Sequence, residues 1–157
     1  MAKRRHWLFK SEPDVYSIDD LERDGSTPWE GVRNYQARNF MRDDMRVGDG
    51  VLFYHSRAKP MAIVGLAEVA KEAYPDAAQF DPESPYYDPK ASADDPRWVR
   101  VDVKFVAKFA QPLTLEELKS DEKLDGLLLL RRGQRLSIQP VEERHWKRVL
   151  KLAGHRE

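Results

Sequence analysis

Three segments of the sequence place polar side chains beside aromatic ones. They are residues 10–13 (KSEP), 29–40 (WEGVRNYQARNF) and 53–56 (FYHS). Binding of a nucleobase requires a flat ring to stack on and a few directed hydrogen-bond partners along the edge of the base. Trp and Tyr side chains supply such rings, and Ser, Asn and His side chains supply edge contacts. The pattern therefore predicts a pocket for a planar heterocycle.

The same residues also have structural explanations, which the sequence leaves open. An Asn that precedes a helix is most often its N-cap, so Asn34 fits that role as well as a binding role. His55 is equally compatible with a structural histidine whose hydrogen bonds are satisfied. Aromatic residues in strands are most often core residues, and this group includes Trp7, Phe9, Phe53, Trp98 and Phe105.

Catalysis is the competing interpretation of these side chains. Ser11 or Ser56 could act as a nucleophile with His55 as its base and a carboxylate as the third member. Neighbouring residues of a strand point to opposite faces, which separates His55 from Ser56 unless the strand ends at Tyr54. The chain has no cysteine and only four scattered histidines. We therefore expect no metal, no cofactor and no enzymatic activity.

The charge balance restricts how the chain could bind nucleic acid. The 157 residues include 27 Lys and Arg and 27 Asp and Glu, a formal net charge of zero. Non-specific DNA binders usually have a basic excess, because neutralised phosphates supply their affinity. Binding here would need a local basic surface and a base-sized pocket. Basic residues cluster at positions 3–5 and 131–135.

The hydrophobic patterns predict a mixed α+β domain around a curved sheet or small barrel. Helices are expected after the caps Ser17, Asn34 and Thr114, and over residues 141–152. Gly65 is expected to mark a bulge or a close backbone approach. Residues 27–31 and 74–96 are expected to be loops. Strands are expected at residues 6–10, 51–55, 62–69, 98–105, 127–130 and 136–138.

Six blocks of the sequence, in this order, resemble the EVE domain family, and the resemblance extends over residues 6–152. It implies a PUA-like fold, a mixed pseudo-barrel of about six strands with flanking short helices, and a single domain over residues 1–157. The six blocks are residues 7–13 (WLFKSEP), 29–39 (WEGVRNYQARN), 53–56 (FYHS), 71–76 (KEAYPD), 87–89 (YDP) and 135–141 (RLSIQPV).

The resemblance also implies a function, because EVE domains are regarded as readers of modified bases. Modified cytosine in DNA is the favoured ligand, and RNA is the second choice. Trp29 is implied as the principal stacking ring, and residues 74–76 as a cover for the mouth of the pocket. The remaining implied pocket residues are Lys10, Ser11, Asn34, Tyr35, Tyr54, His55, Ser56, Ser137 and Gln139.

Two other functions stay open at this point, a hydrolase or nuclease of the related ASCH type and a module that binds a small molecule or a protein. Convergence of Trp29, Tyr35 and Tyr54 on one open cavity would favour the base reader. The longest apolar run, residues 127–130, is too short to span a membrane. We further expect a bacterial source and a cytoplasmic location, and no sequence feature specifies an oligomeric state.

Overall fold

A six-stranded mixed sheet forms the centre of the structure, a computed structural model that describes residues 4–155. Lys3 of the first basic cluster lies outside the described residues. The sheet order is β2-β5-β4-β3-β1-β6, with β1 and β3 parallel and the other neighbours antiparallel. This confirms the predicted α+β class. The strands are β1 His6–Ser11, β2 Ser26–Trp29, β3 Gly50–His55, β4 Ala62–Pro75, β5 Val99–Thr114 and β6 Ile138–Val141.

Within residues 4–155, four short α-helices flank the sheet, and the predicted caps begin three of them. Ser17 and Asp20 form a capping box, and Asn34 and Thr114 each accept a hydrogen bond from the backbone of the first turn. A π-helical turn, Phe40–Asp44, continues the second helix, and 3-10 turns cover Ala77–Phe80, Glu122–Leu124 and Leu128–Leu130. The helices are α1 Ile18–Asp24, α2 Tyr35–Asn39, α3 Leu115–Lys119 and α4 Glu143–Ala153.

The sheet is covered by a hydrophobic core on each face, because side chains alternate along its central strands. Phe9 of β1 and Phe53 of β3 belong to the first core, with residues of α1 and α2. Leu8 and Tyr54, one position away, belong to the second core, with residues of α3 and α4. All four of these side chains are buried. Neighbouring residues of these strands therefore cannot contribute side chains to the same site.

Several expected bounds differ from the structure: the strand expected at residues 136–138 is β6, Ile138–Val141, and the one expected at residues 98–105 continues to Thr114. Residues Ser26–Trp29 form β2, which pairs with β5 at the edge of the sheet. Pro28 is tolerated there although it lacks a backbone N–H, because none of the described strands pairs with the outer side of β2. Strand β4 continues to Pro75, so the loop expected from residue 74 begins later. The strand expected at residues 127–130 is wrong, since a short apolar run fits a buried 3-10 turn equally well.

Gly65 marks both a bulge and a close backbone approach, as expected. The pairing of β4 with β5 shifts register between Ile63 and Gly65. A Cβ atom at position 65 would collide with the carbonyl oxygen of Ala107 and would lie 2.9 Å from the Ile18 side chain. Only a residue without a side chain fits between β4, β5 and α1 at this point.

The buried carboxylate of Asp49 connects the start of β1 to the turn before β3. Its Oδ1 accepts a hydrogen bond from the backbone N–H of Arg5 at 3.1 Å, and its Oδ2 accepts from the backbone N–H of Arg46 and the indole N–H of Trp7, each at 3.0 Å. The residue is 3% exposed. Three donors therefore depend on one side chain.

Replacement Asp49→Ala is expected to lower the free energy of unfolding by about 3 kcal/mol. The donors would stay buried without an acceptor, so no hydrogen bond would offset the free energy of removing them from water. Urea denaturation followed by circular dichroism measures the change. Asp94→Ala, which removes an exposed carboxylate, serves as the matched control and should stay close to the unchanged chain. Equal stability of the two variants would show that Asp49 does not hold this junction.

Candidate functional site

A surface cavity of about 430 Å³ opens above the first core, between the end of β1 and the segment that joins β2 to α2. Its volume lies in the range of small-ligand sites. A larger depression, about 630 Å³, lies beside α3, but its walls contain no aromatic ring for stacking. The residues that line the smaller cavity are Lys10, Ser11, Glu12, Val15, Tyr16, Thr27, Pro28, Trp29, Glu30, Gly31, Val32, Arg33, Tyr86 and Ser137.

Trp29 is the largest ring in the wall of this cavity, and its neighbours fix its position. Its ring centroid lies 5.2 Å from that of Phe9 in a tilted pair and 5.6 Å from that of Phe53 in an edge contact. Tyr16 approaches in a further edge contact at 6.4 Å. The indole remains half-buried, because β2 is an edge strand. Part of a rigidly held aromatic surface thus faces the cavity.

The loop between β1 and α1 forms a second wall and is held by hydrogen bonds. The Ser11 hydroxyl donates to the backbone oxygen of Tyr16 at 2.5 Å, and the Tyr16 hydroxyl donates to Asp24 Oδ2 at 2.8 Å. Burial, together with the hydrogen bond to Asp24, raises the pKa of Tyr16 to about 12. The phenol therefore stays neutral at physiological pH, and its ring supports Trp29.

Lys10 and Ser137 bring β1 and the segment before β6 together at the cavity. The backbone N–H of Lys10 donates to the carbonyl oxygen of Ser137 at 2.8 Å. Burial lowers the pKa of the Lys10 ammonium group, because the surrounding wall removes part of its solvent. Lys10 thus provides a cationic donor, and the Ser137 hydroxyl provides a neutral partner.

A third wall of the cavity includes Gly31 and Arg33, and the buried carboxylate of Asp76 forms hydrogen bonds to both from the side opposite the cavity. Its Oδ2 accepts from the backbone N–H of Gly31 at 2.9 Å and from Arg33 Nη1 at 3.1 Å, and its Oδ1 accepts from the backbone N–H of Ala78 at 2.9 Å. Gly31 has φ +82°, and a Cβ there would lie 2.7 Å from the Tyr86 ring. Arg33 also donates to the Tyr86 carbonyl at 2.7 Å. These contacts place Tyr86 at the rim.

Four of the predicted pocket residues line the cavity, namely Lys10, Ser11, Trp29 and Ser137. The placement of Tyr54 in a pocket wall is wrong, since this side chain is 3% exposed in the second core, on the opposite face from Phe53. Gln139 is 1% exposed and donates to the Leu136 carbonyl at 2.9 Å. It pairs with Leu8, so it also points away from Trp29.

Four other predicted pocket residues lie outside the cavity wall and have structural contacts. Asn34 caps α2, accepting from the backbone N–H of Ala37 at 3.0 Å, and Tyr35 stacks on Trp98 with 4.8 Å between centroids. The backbone N–H of Ser56 donates to the Ser11 carbonyl at 3.0 Å. His55 accepts a hydrogen bond from the backbone of Ile18. Trp29, Tyr35 and Tyr54 therefore do not converge on one cavity, and this criterion does not favour the base reader.

The rings that accompany Trp29 are instead Tyr16 and Tyr86, which the sequence analysis missed. Tyr16 follows the first block closely, and Tyr86 directly precedes the fifth block, so proximity to those blocks was the available signal. Residues 74–76 do not cover the mouth. The Tyr74 hydroxyl bonds to Asp102, and Asp76 lies behind the wall.

His55 has the environment of a structural histidine. Its Nε2 accepts a hydrogen bond from the backbone N–H of Ile18 at 3.1 Å, which requires the neutral ring. Burial lowers the pKa of His55. Among residues 4–155, neither Ser11 nor Ser56 forms a hydrogen bond with this imidazole, and no three His, Asp or Glu side chains group as metal ligands. The arrangement of Ser11 or Ser56 with His55 as its base is therefore not assembled among the described residues.

An EVE domain model matches residues 5–152. The chain belongs to the EVE domain family. It is 43% identical to human thymocyte nuclear protein 1 over 94% of this chain and 73% of the human protein, and 35% identical to the uncharacterized protein C21.03c of Schizosaccharomyces pombe over 96% and 69%. These matches confirm the family resemblance that the six blocks predicted.

Similar solved structures confirm the predicted PUA-like fold. A hypothetical protein from Leishmania major superposes with a TM-score of 0.91 at 48% identity, covering 97% of this chain and 96% of that one. Human THYN1 protein, in complex with 5-methylcytosine-containing DNA, superposes with a TM-score of 0.89 at 42% identity, covering 98% and 99%. An ASCH protein from Zymomonas mobilis, at 9% identity and TM-score 0.53, shares the fold alone.

The comparisons leave the bacterial source and the cytoplasmic location as predictions, since similar proteins occur in Pseudomonas syringae and in eukaryotes. The human relative is named as a nuclear protein. None of the helices described between residues 4 and 155 has the length and apolar character needed to cross a membrane.

The hydrogen bond to His55 predicts a pH dependence of stability. Because the pKa of His55 in the folded chain lies below its ordinary value of 6.5, protons bind more readily to the unfolded chain as the pH falls through that value. The stabilising contribution is complete above pH 6.5 and is lost below it. Burial is the largest cause of the lowered pKa of His55; the nearby charge of Lys108 acts in the same direction, and only Asp19 opposes it.

Chemical denaturation at pH 7.5 and 5.5 tests this dependence in the unchanged chain and in His55→Gln, whose amide oxygen can accept the same hydrogen bond without titrating. The unchanged chain is expected to lose more free energy of unfolding between the two pH values than the variant does. Identical losses in the two proteins would contradict the role of His55, since every other titrating group is common to both.

Proposed function

We propose that this protein is a non-enzymatic reader that captures a modified cytosine of DNA in the Trp29 cavity. The observation that supports it most is the half-buried Trp29 ring, fixed by Phe9, Phe53 and Tyr16 in the wall of a base-sized cavity. DNA is favoured because an EVE relative, human THYN1 protein, was solved with 5-methylcytosine-containing DNA.

Capture of a base from a duplex requires that the base leave its stack, at a cost of a few kcal/mol. Stacking on an aromatic side chain returns about 1–3 kcal/mol. Hydrogen bonds to the base edge supply the remainder, and the polar groups of the cavity wall include Lys10, Ser11 and Ser137. Both ring and polar groups are thus needed for net binding.

The walls of the cavity are held before any ligand arrives, which reduces the entropy lost on binding. Hydrogen bonds from Ser11 to the Tyr16 carbonyl and from Tyr16 to Asp24 fix one side. The Asp76 carboxylate fixes the other side through Gly31 and Arg33. A pre-formed cavity suits recognition of one base shape more than it suits a flexible binding surface.

Selectivity for a methyl mark would come from the apolar part of the wall, which includes Val15, Pro28 and Val32. Burial of one methyl group is worth about 0.8 kcal/mol, so the preference over unmodified cytosine should be roughly four- to tenfold. A non-enzymatic role is supported by His55, because its Nε2 already accepts a hydrogen bond from the backbone N–H of Ile18 and is not free to act as a base.

Trp29→Ala is expected to remove the preference for DNA containing 5-methylcytosine over unmodified DNA, because the stacking surface is lost. Trp29→Phe should keep part of the preference. Fluorescence anisotropy with matched oligonucleotides at fixed salt measures the ratio of the two dissociation constants.

Phe105→Ala is the matched control, because this half-buried ring packs against the same core but lies outside the cavity. It should lower stability without changing the ratio of dissociation constants. The proposal would be overturned if Trp29→Ala, folded by circular dichroism, kept the full preference for the methylated oligonucleotide.

A further inference from the structure

A continuous strip of aromatic and arginine side chains leaves the rim of the Trp29 cavity. Tyr86 and Arg33, which line the rim, form its first pair, with the guanidinium carbon of Arg33 5.4 Å from the Tyr86 centroid. The same carbon lies 5.3 Å from the centroid of Trp98. We call this the aromatic–arginine strip, and in order from the rim it comprises Tyr86, Arg33, Trp98, Tyr35, Arg38 and Arg97.

The far part of the strip is partly exposed, with Arg38 and Arg97 half-buried beside an exposed Tyr35. Tyr35 stacks on Trp98 with 4.8 Å between centroids and an angle of 25°, and it remains 51% exposed. The guanidinium carbon of Arg38 lies 4.7 Å from the Tyr35 centroid, and Arg97 Nη1 lies 3.5 Å from the Tyr35 hydroxyl. Two guanidinium groups thus flank one exposed ring.

The two outer arginines have no carboxylate partner within 4.0 Å among residues 4–155, whereas Arg33 is paired with Asp76. Arg38 donates to the neutral acceptors Asn39 Oδ1 and the Arg97 carbonyl. The nearby carboxylate of Asp88 accepts the indole N–H of Trp98 at 2.8 Å. The outer strip therefore presents positive charge that the chain itself does not cancel by direct pairing.

We propose that the aromatic–arginine strip binds the sugar–phosphate backbone of the DNA strand that flanks the captured base, with Arg38 and Arg97 as its phosphate contacts. This rests on the proposed function, because the strip begins at the rim of the same cavity. A strand whose base enters the cavity must continue across the rim. Guanidinium groups whose internal partners are neutral keep a full positive charge, which suits them to phosphate oxygens.

Arginine contacts to phosphate do not distinguish bases, so their loss has a specific signature. The double variant Arg38→Gln/Arg97→Gln is expected to weaken binding of methylated and unmethylated DNA alike, by roughly tenfold at low salt. The slope of log affinity against log salt concentration should fall in magnitude by about two. The ratio of the two dissociation constants should stay unchanged, which separates this effect from that of Trp29→Ala.

Two further double variants complete the experiment. Lys147→Gln/Lys151→Gln removes two charges from α4, which packs on the opposite core, and it should leave the salt slope unchanged. Arg38→Lys/Arg97→Lys keeps the charges and should keep most of the affinity and slope. Circular dichroism confirms that each variant is folded.

An unchanged salt slope in the Arg38→Gln/Arg97→Gln variant would overturn the proposed phosphate-binding role of the strip. It would leave the proposal for Trp29 intact. Equally weak binding by the Lys and Gln variants would also overturn it, because it would indicate a structural role for the guanidinium groups. Loss of the methyl preference in the Gln variant would place these arginines in base selection instead of phosphate binding, and so would contradict the proposal as well.

Discussion

The alternation of side chains along β1 and β3 determines where a site can form in this fold. Phe9 and Phe53 point to one face of the sheet, while Leu8 and Tyr54 point to the other. A shift of one residue in either strand would exchange the two sets. The first set supports Trp29 from below, so the cavity depends on this register. The hydrogen bonds of Asp49 hold the start of the parallel pair in place.

The sequence predicted local structure well wherever the signal was itself local. The capping residues Ser17, Asn34 and Thr114 predicted where three helices begin, because a cap and its partner lie within one turn. Gly65 predicted a bulge for a similarly local reason. The strand β2 was missed, because its four residues contain a proline and are stabilised by pairing with β5, some 75 positions later in the chain.

The candidate site was predicted only in part. Alternation separated His55 from Ser56 in the sequence argument, and the same rule separates Phe53 from Tyr54, although the blocks of the family resemblance placed Tyr54 in the pocket. Tyr86 reaches the rim through contacts with Gly31 and Arg33, more than 50 positions away. Contacts of that range leave no periodicity in the sequence.

A net charge of zero is compatible with a local cationic surface, because ion pairs cancel charge unevenly over the molecule. Around the cavity, Asp76 pairs with Arg33 and Glu30 pairs with Arg100, so these four charges mainly hold the wall. In the proposed reader, their cancellation would leave shape and stacking to select the base. The guanidinium groups without a carboxylate partner lie farther out, on the path proposed for the strand, where positive charge would add affinity without altering which base is selected.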